Sequence, residues 1–126
     1  MSLDLDKQIA YWREGALDDW ESAVLLLEKG KVRQGLFLAH LSLEKALKAL
    51  VTRTTCDVPP KIHDLPRLAA LSGLVVPEDH ATTLKIANAF NLAGRYPDRW
   101  PALPSQAGTS SLTDGMGKAL EWLLKA

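Results

Sequence analysis

The residues with chemistry to offer gather in three short stretches. In His40-Leu41-Ser42-Leu43-Glu44-Lys45-Ala46-Leu47-Lys48, a histidine, a carboxylate and an amine recur at four-residue spacing. On a helix, His40, Glu44 and Lys48 form a polar line along one side. Glu44 is then placed to fix the tautomer or charge of His40, and Lys48 to offset Glu44. Two readings stay open. One is a set of helix-stabilising pairs, each worth about 0.2–0.5 kcal/mol at an exposed position. The other is a charged seam facing a cleft or a partner. Arg33 lies seven positions before His40. Arginine for phosphate and histidine for proton transfer are the residue types of RNA cleavage. Two helical turns separate them by about 10 Å, which is wide for joint action on one phosphate.

The second stretch is Lys61, His63, Asp64 and Arg67, around the start of a short predicted helix. A helix N-terminus with nearby cations can receive an anion. Alternatively, Asp64 caps that helix and His63 hydrogen-bonds to a neighbouring one. In the third, Arg95 and Arg99 bracket Tyr96-Pro97-Asp98. These arginines either anchor the loop, through Asp98 or through Asp18 and Asp19, or line a pocket for a phosphate or nucleic-acid backbone. The candidate catalytic residues are thus Arg33, His40 and Arg95. Candidates for ligand or partner binding are His40, Glu44, Lys48, Lys61, His63, Arg67, Arg95, Tyr96 and Arg99. The sequence contains no phosphate-binding glycine loop, HExxH pair, CxxC or G-x-S-x-G elbow. Its three histidines fall on three different elements, so neither a metal nor another cofactor is predicted.

Hydrophobic periodicity defines the elements that must position these groups. Leu5, Ile9, Trp12, Ala16, Trp20, Ala23 and Leu27 recur every three or four residues, predicting a first helix with one buried stripe. Ser2 or Asp4 caps its start, and Gly30 ends it. Trp12 and Trp20 are expected in the core. A second helix is predicted from Val32 to Thr54, with Leu36, Leu43, Leu47 and Leu50 on its main face. So short a connection forces an antiparallel hairpin. Pro59-Pro60 breaks the chain; Asp64 opens a short third helix that Gly73 closes. A fourth helix opens at Pro77 and runs towards Gly94, with Leu84, Ile86, Ala87, Phe90 and Ala93 as its apolar surface. Residues 95–110 read as a loop containing Trp100, expected to serve as lid packing or as a surface anchor. Ser111 with Asp114 resembles a capping box for the last helix, continued by Leu112, Met116, Leu120 and Leu123 or Leu124. No strand alternation is evident. The prediction is an all-α, four- to five-helix up-and-down bundle, with residues 1–126 as a single domain.

Composition agrees with a globular chain. Hydrophobic residues make up 47% and charged residues 24%, which excludes global disorder. Fifteen basic and fifteen acidic residues cancel, arguing against a dedicated polyanion binder. Charge is nevertheless uneven: residues 1–27 carry six acids against two bases, and residues 28–67 eight bases against four acids. One cysteine excludes an intrachain disulfide, and no signal peptide or apolar run of membrane-spanning length is present. The expectation is a small cytoplasmic protein that makes no use of a membrane.

Four of these stretches together resemble the HEPN domain family. They are Ala16 to Leu27, with Asp18 or Asp19 before Ala23 and the leucines; His40 to Leu50, reading HLSLEKALKAL; Pro59 to Leu65, reading PPKIHDL; and Arg95-Tyr96-Pro97. They occur in family order. The resemblance implies a five-helix prokaryotic domain, commonly a homodimer, often encoded beside a minimal nucleotidyltransferase as a toxin–antitoxin-like pair. Other relatives are metal-independent RNases with an arginine and a histidine four to six residues apart at the start of a late helix. This chain departs from that pattern, because no histidine follows His80. The expected function is therefore a non-catalytic nucleotidyltransferase partner with a role in nucleotide binding. The alternatives are a toxin-like RNase acting on RNA and a homodimer that binds a small ligand or nucleotide.

Overall fold

The computed structural model describes residues 4–126. Their elements are α1 (Leu5–Glu28), α2 (Val32–Thr55), α3 (Leu65–Leu71), α4 (Glu78–Ala87) and α5 (Gln106–Lys125), with single 3-10 turns at Asn88–Phe90 and Pro97–Arg99. The architecture is a five-helix, all-α bundle, and no strand occurs among the described residues.

Asp4 caps α1 by accepting a hydrogen bond from the Lys7 amide; Ser2 lies outside the described residues. At the other end Gly30 adopts φ +77°, the left-handed conformation in which a side chain is strained. Its amide donates to Leu27 O while that of Lys31 donates to Leu26 O, so both orphaned carbonyls are satisfied as the chain reverses. The returning α2 runs antiparallel along α1. Gly35 makes their crossing tight: a Cβ there would lie 2.6 Å from Leu27 Cγ.

Helix α2 is the axis of the molecule, in contact with α1, α3, α4 and α5. Leu36, Leu43, Leu47, Leu50 and Val51 fill the core from this helix, joined by Leu65, Leu68, Leu84, Phe90, Met116, Leu120 and Leu123. By contrast, α1 contributes only Ala16 and Ala23 to the fully buried set. The two expected core tryptophans of α1 are instead half-buried. Trp20 packs on the core margin, close enough to Gly117 that a Cβ there would meet its ring at 3.0 Å. Trp12 lies outside the core cluster. A narrow alanine seam lets α1 approach α2 closely, which leaves the wide indoles no room except at its flanks.

Two helix boundaries differ from expectation. Helix α4 stops at Ala87, and the chain tightens into the 3-10 turn over Asn88–Phe90. The Asn88 side chain accepts from the Leu65 amide, fixing the start of α3. Leu84, Ala87 and Phe90 are buried as expected, whereas Ile86 and Ala93 are exposed. Helix α5 begins before Ser111, because Ser105 is its cap and accepts from the Gly108 amide. Ser111 and Asp114 lie inside that helix, so they form no capping box. The first turns of α5 have glycine, threonine and serine in place of apolar residues, so hydrophobic spacing carries no signal there.

Candidate functional site

The polar line of α2 meets the segment leading into α3. His40 is fully buried, and its Nε2 donates to the carbonyl of His63 at 3.2 Å. That bond assigns the proton to Nε2 and leaves Nδ1 as an acceptor, which has no protein partner among the described residues. Glu44 is held from two sides. The Nδ1–H of His63 donates to Oε1 at 3.0 Å, and the Lys48 ammonium donates to Oε2 at 3.0 Å. The side chains of Glu44 and Lys48 are only 5% and 7% exposed, against 49% for His63. Lys48 Nζ also sits 5.4 Å from the centre of the Trp12 ring, a cation–π contact closing the site from α1.

Burial holds the pKa of His40 below its usual value, disfavouring a charge in the core. The Glu44 carboxylate and the hydrogen bond to His63 oppose that effect, while the charges of His63 and Arg95 reinforce it. His40 is therefore a neutral donor to backbone. The half-exposed ring is that of His63, whose Nδ1 is oriented by Glu44 and whose other nitrogen makes no protein hydrogen bond among the described residues. A carboxylate-oriented imidazole of this kind has the arrangement of a general base.

The structure thus brings together His40, Glu44, Lys48 and His63, with Arg95 near enough for its charge to act on His40. The remaining candidates go elsewhere. Arg33 lies over the Trp100 ring at 5.3 Å from its centre, so that tryptophan covers the start of α2. The Arg95 guanidinium donates to Ala89 O at 3.2 Å. Neither Arg95 nor Arg99 forms an ion pair among the described residues, and Asp19 pairs instead with Lys45 at 2.8 Å. Tyr96 is 79% exposed, and Lys61 and Arg99 are exposed as well. Asp64 caps α3 by accepting from the Arg67 amide, while Arg67 borders a separate recess of about 380 Å³ with Val51, Ile62 and Leu71. Among the described residues no three His, Cys, Asp or Glu side chains are placed to hold a metal ion between them.

Sequence reasoning missed Trp12 and Asn88 as parts of this arrangement. The first was recoverable. In a hairpin that turns at Gly30, residues equally distant from the turn face one another; Trp12 and Lys48 are each eighteen residues away. Asn88 carried no such signal, because its role depends on how α4 meets α3.

This combination defines an all-α bundle built on a long helical hairpin, whose polar line is latched to a Pro-Pro-Lys-Ile-His-Asp segment. The chain belongs to the HEPN domain family, whose model matches residues 9–125. Among solved structures it is similar to TT1696 from Thermus thermophilus, with 25% identity and a TM-score of 0.76 over 94% of this chain and 97% of that one. It also shares the fold of ST0689, an archaeal HEPN homologue, at 18% identity and a TM-score of 0.66, over 91% and 93% of the two chains. No curated protein matches it significantly.

Proposed function

We propose that this chain is a non-catalytic interaction module that pairs with a minimal nucleotidyltransferase in a toxin–antitoxin-like system. One observation carries the reading: the acid–base groups of α2 are committed to internal structure. Both Glu44 oxygens are engaged, and His40 is buried with its donor used on a backbone carbonyl. The absence of any histidine after His80 removes the late-helix pair that the nuclease relatives would need. In such a pair, the exposed cations Lys61, Arg67, Arg95 and Arg99 are the groups available to nucleotide phosphates. A homodimer of the chain alone belongs to the same proposal and is read by light scattering.

The test is co-expression with a minimal nucleotidyltransferase, followed by size-exclusion chromatography. A stoichiometric complex, and intact RNA after metal-free incubation with this chain, are expected. Separate elution at micromolar concentration would overturn the partnership. The solvent-facing ring of His63, oriented by Glu44, favours an RNase as the second reading. RNA cleavage that disappears in His63→Ala would establish it over the first.

A further inference from the structure

Helices α1 and α5 run antiparallel beside α2, and the seam between them is only partly filled. At one end the Arg13 guanidinium donates to Leu124 O at 2.9 Å. Further along, the Trp20 ring packs against Gly117. Beyond Trp20 the seam opens into a groove of about 580 Å³, with Val24, Leu27, Val32 and Pro104 as its apolar surface. There α5 presents Gln106 at its first residue and then the short side chains Thr109, Ser110 and Thr113, which leave the groove open.

Charge accompanies that opening. Glu28 from α1 and Asp114 from α5 line the groove. Both are exposed, and neither forms an ion pair or side-chain hydrogen bond among the described residues. Residues 14–28 hold five acids and no lysine or arginine, and of these acids only Asp19 is paired. Glu14, Asp18, Glu21 and Glu28 are all exposed, interspersed with Leu17 and Leu25, which are 53% and 55% exposed. Glu28 lies in the last turn of α1, which contains no basic residue. A carboxylate at the negative end of a helix dipole opposes that helix, so Glu28 does nothing for α1 itself. The turn lysines Lys29 and Lys31 are not among the residues lining the groove.

We infer that this open seam and the acidic outer face of α1 form a docking surface for a basic amphipathic helix of a partner protein. The groove between two helices accepts a third that brings apolar anchors to Val24, Leu27 and Val32. Its lysines or arginines then meet Glu21, Glu28 and Asp114. Such charge pairing sets orientation and encounter rate, while the apolar anchors supply the burial. The inference rests on the partner-module reading and names the surface that reading needs.

The probe is a synthetic helical peptide of about eighteen residues with leucines on one face and lysines on the other. A scrambled peptide and one with glutamate for lysine serve as comparisons. Fluorescence anisotropy is expected to show binding of the Lys/Leu peptide alone, weakening between ~50 and ~300 mM salt. Glu21→Lys/Glu28→Lys should lower that affinity at least about tenfold. Glu78→Lys/Asp79→Lys makes the same charge change near the far end of α5, where the His80 ring meets Trp122 in a tilted contact, and should leave binding unchanged. NMR shifts should map to Val24, Leu27, Val32 and Thr113. Equal binding of the scrambled peptide, insensitivity to the Glu21/Glu28 change, or shifts confined to other faces would overturn the inference. Self-association of the chain abolished by the same change would assign the groove to a second copy, and so overturn it too. Capture of the nucleotidyltransferase undiminished in Glu21→Lys/Glu28→Lys defeats this surface while leaving the partnership standing. Peptide binding without capture does the reverse.

Discussion

Glu44 accepts from His63 and Lys48 at once, in a position with almost no solvent to compensate for losing either. Buried ion pairs contribute little net stability but are costly to break on one side, because the surviving charge stays desolvated. Glu44→Ala should therefore destabilise the fold by about 3–5 kcal/mol in urea titration. Glu44→Gln, which keeps an acceptor for one donor, should cost less. His40 makes the complementary case in pH. Burial lowers its folded-state pKa below 6.5, so the unfolded chain takes up the proton more readily. The stability from neutral His40 is present in full above the unfolded value and is lost as pH falls through the depressed folded value. Urea midpoints should thus decline on acidification below about pH 6.5. In His40→Gln, whose amide can still donate to His63 O, that part of the decline should be missing. An unchanged pH profile would place the titration on another group.

At the scale of elements, the two ends with the plainest capping chemistry invite direct comparison. Ser105 satisfies the Gly108 amide, so Ser105→Ala should cost about 1 kcal/mol. Ser111→Ala, at an exposed position within α5, should change stability by less than about 0.5 kcal/mol. Equal effects in thermal denaturation would contradict a start at Gln106. Gly30→Ala isolates backbone strain, since a Cβ there would meet nothing within 4 Å, and should cost about 1 kcal/mol. The hairpin was legible because Leu36, Leu43 and Leu47 repeat at helical spacing and Gly30 stands where a left-handed turn is needed. The start of α5 was not, since an N-cap serine announces itself only beside a hydrophobic pattern, which begins later at Leu112. In the candidate site, the line of His40, Glu44 and Lys48 could be read from four-residue spacing. What each group donates to could not, because His63 reaches the line only through the path of the chain after Pro59-Pro60.

For the whole molecule, the uneven burial of α1 and α2 sets how the fold should open. Helix α2 buries residues against every other helix, from Leu36 to Thr52, whereas α1 has only Ala16 and Ala23 fully buried, with Trp20 and Leu27 packed at the core margin. Along α1, the Ser42 hydroxyl donates to Ala16 O at 2.6 Å and Lys45 pairs with Asp19, so the hairpin has polar as well as apolar fastenings. The segment from Asn91 to Pro104 has neither a long helix nor a fully buried side chain. Amides buried in a cooperative unit exchange only when that unit opens, while exposed loop amides exchange through local fluctuation. Native-state hydrogen exchange should therefore find the slowest amides between Leu43 and Val51, with rates that track the global unfolding free energy as urea rises. Amides from Asn91 to Pro104 should exchange fastest and show little urea dependence. Helix α4 belongs between these limits, since it reaches the core chiefly through Leu84 and Ala87 and through Phe90 just beyond it. Exchange of α4 in step with α2 would show that the contacts through α5 make the bundle one cooperative unit. Earlier exchange of α4 would make the α1–α2 hairpin, with the Glu44 latch that it carries, the more persistent part of the fold.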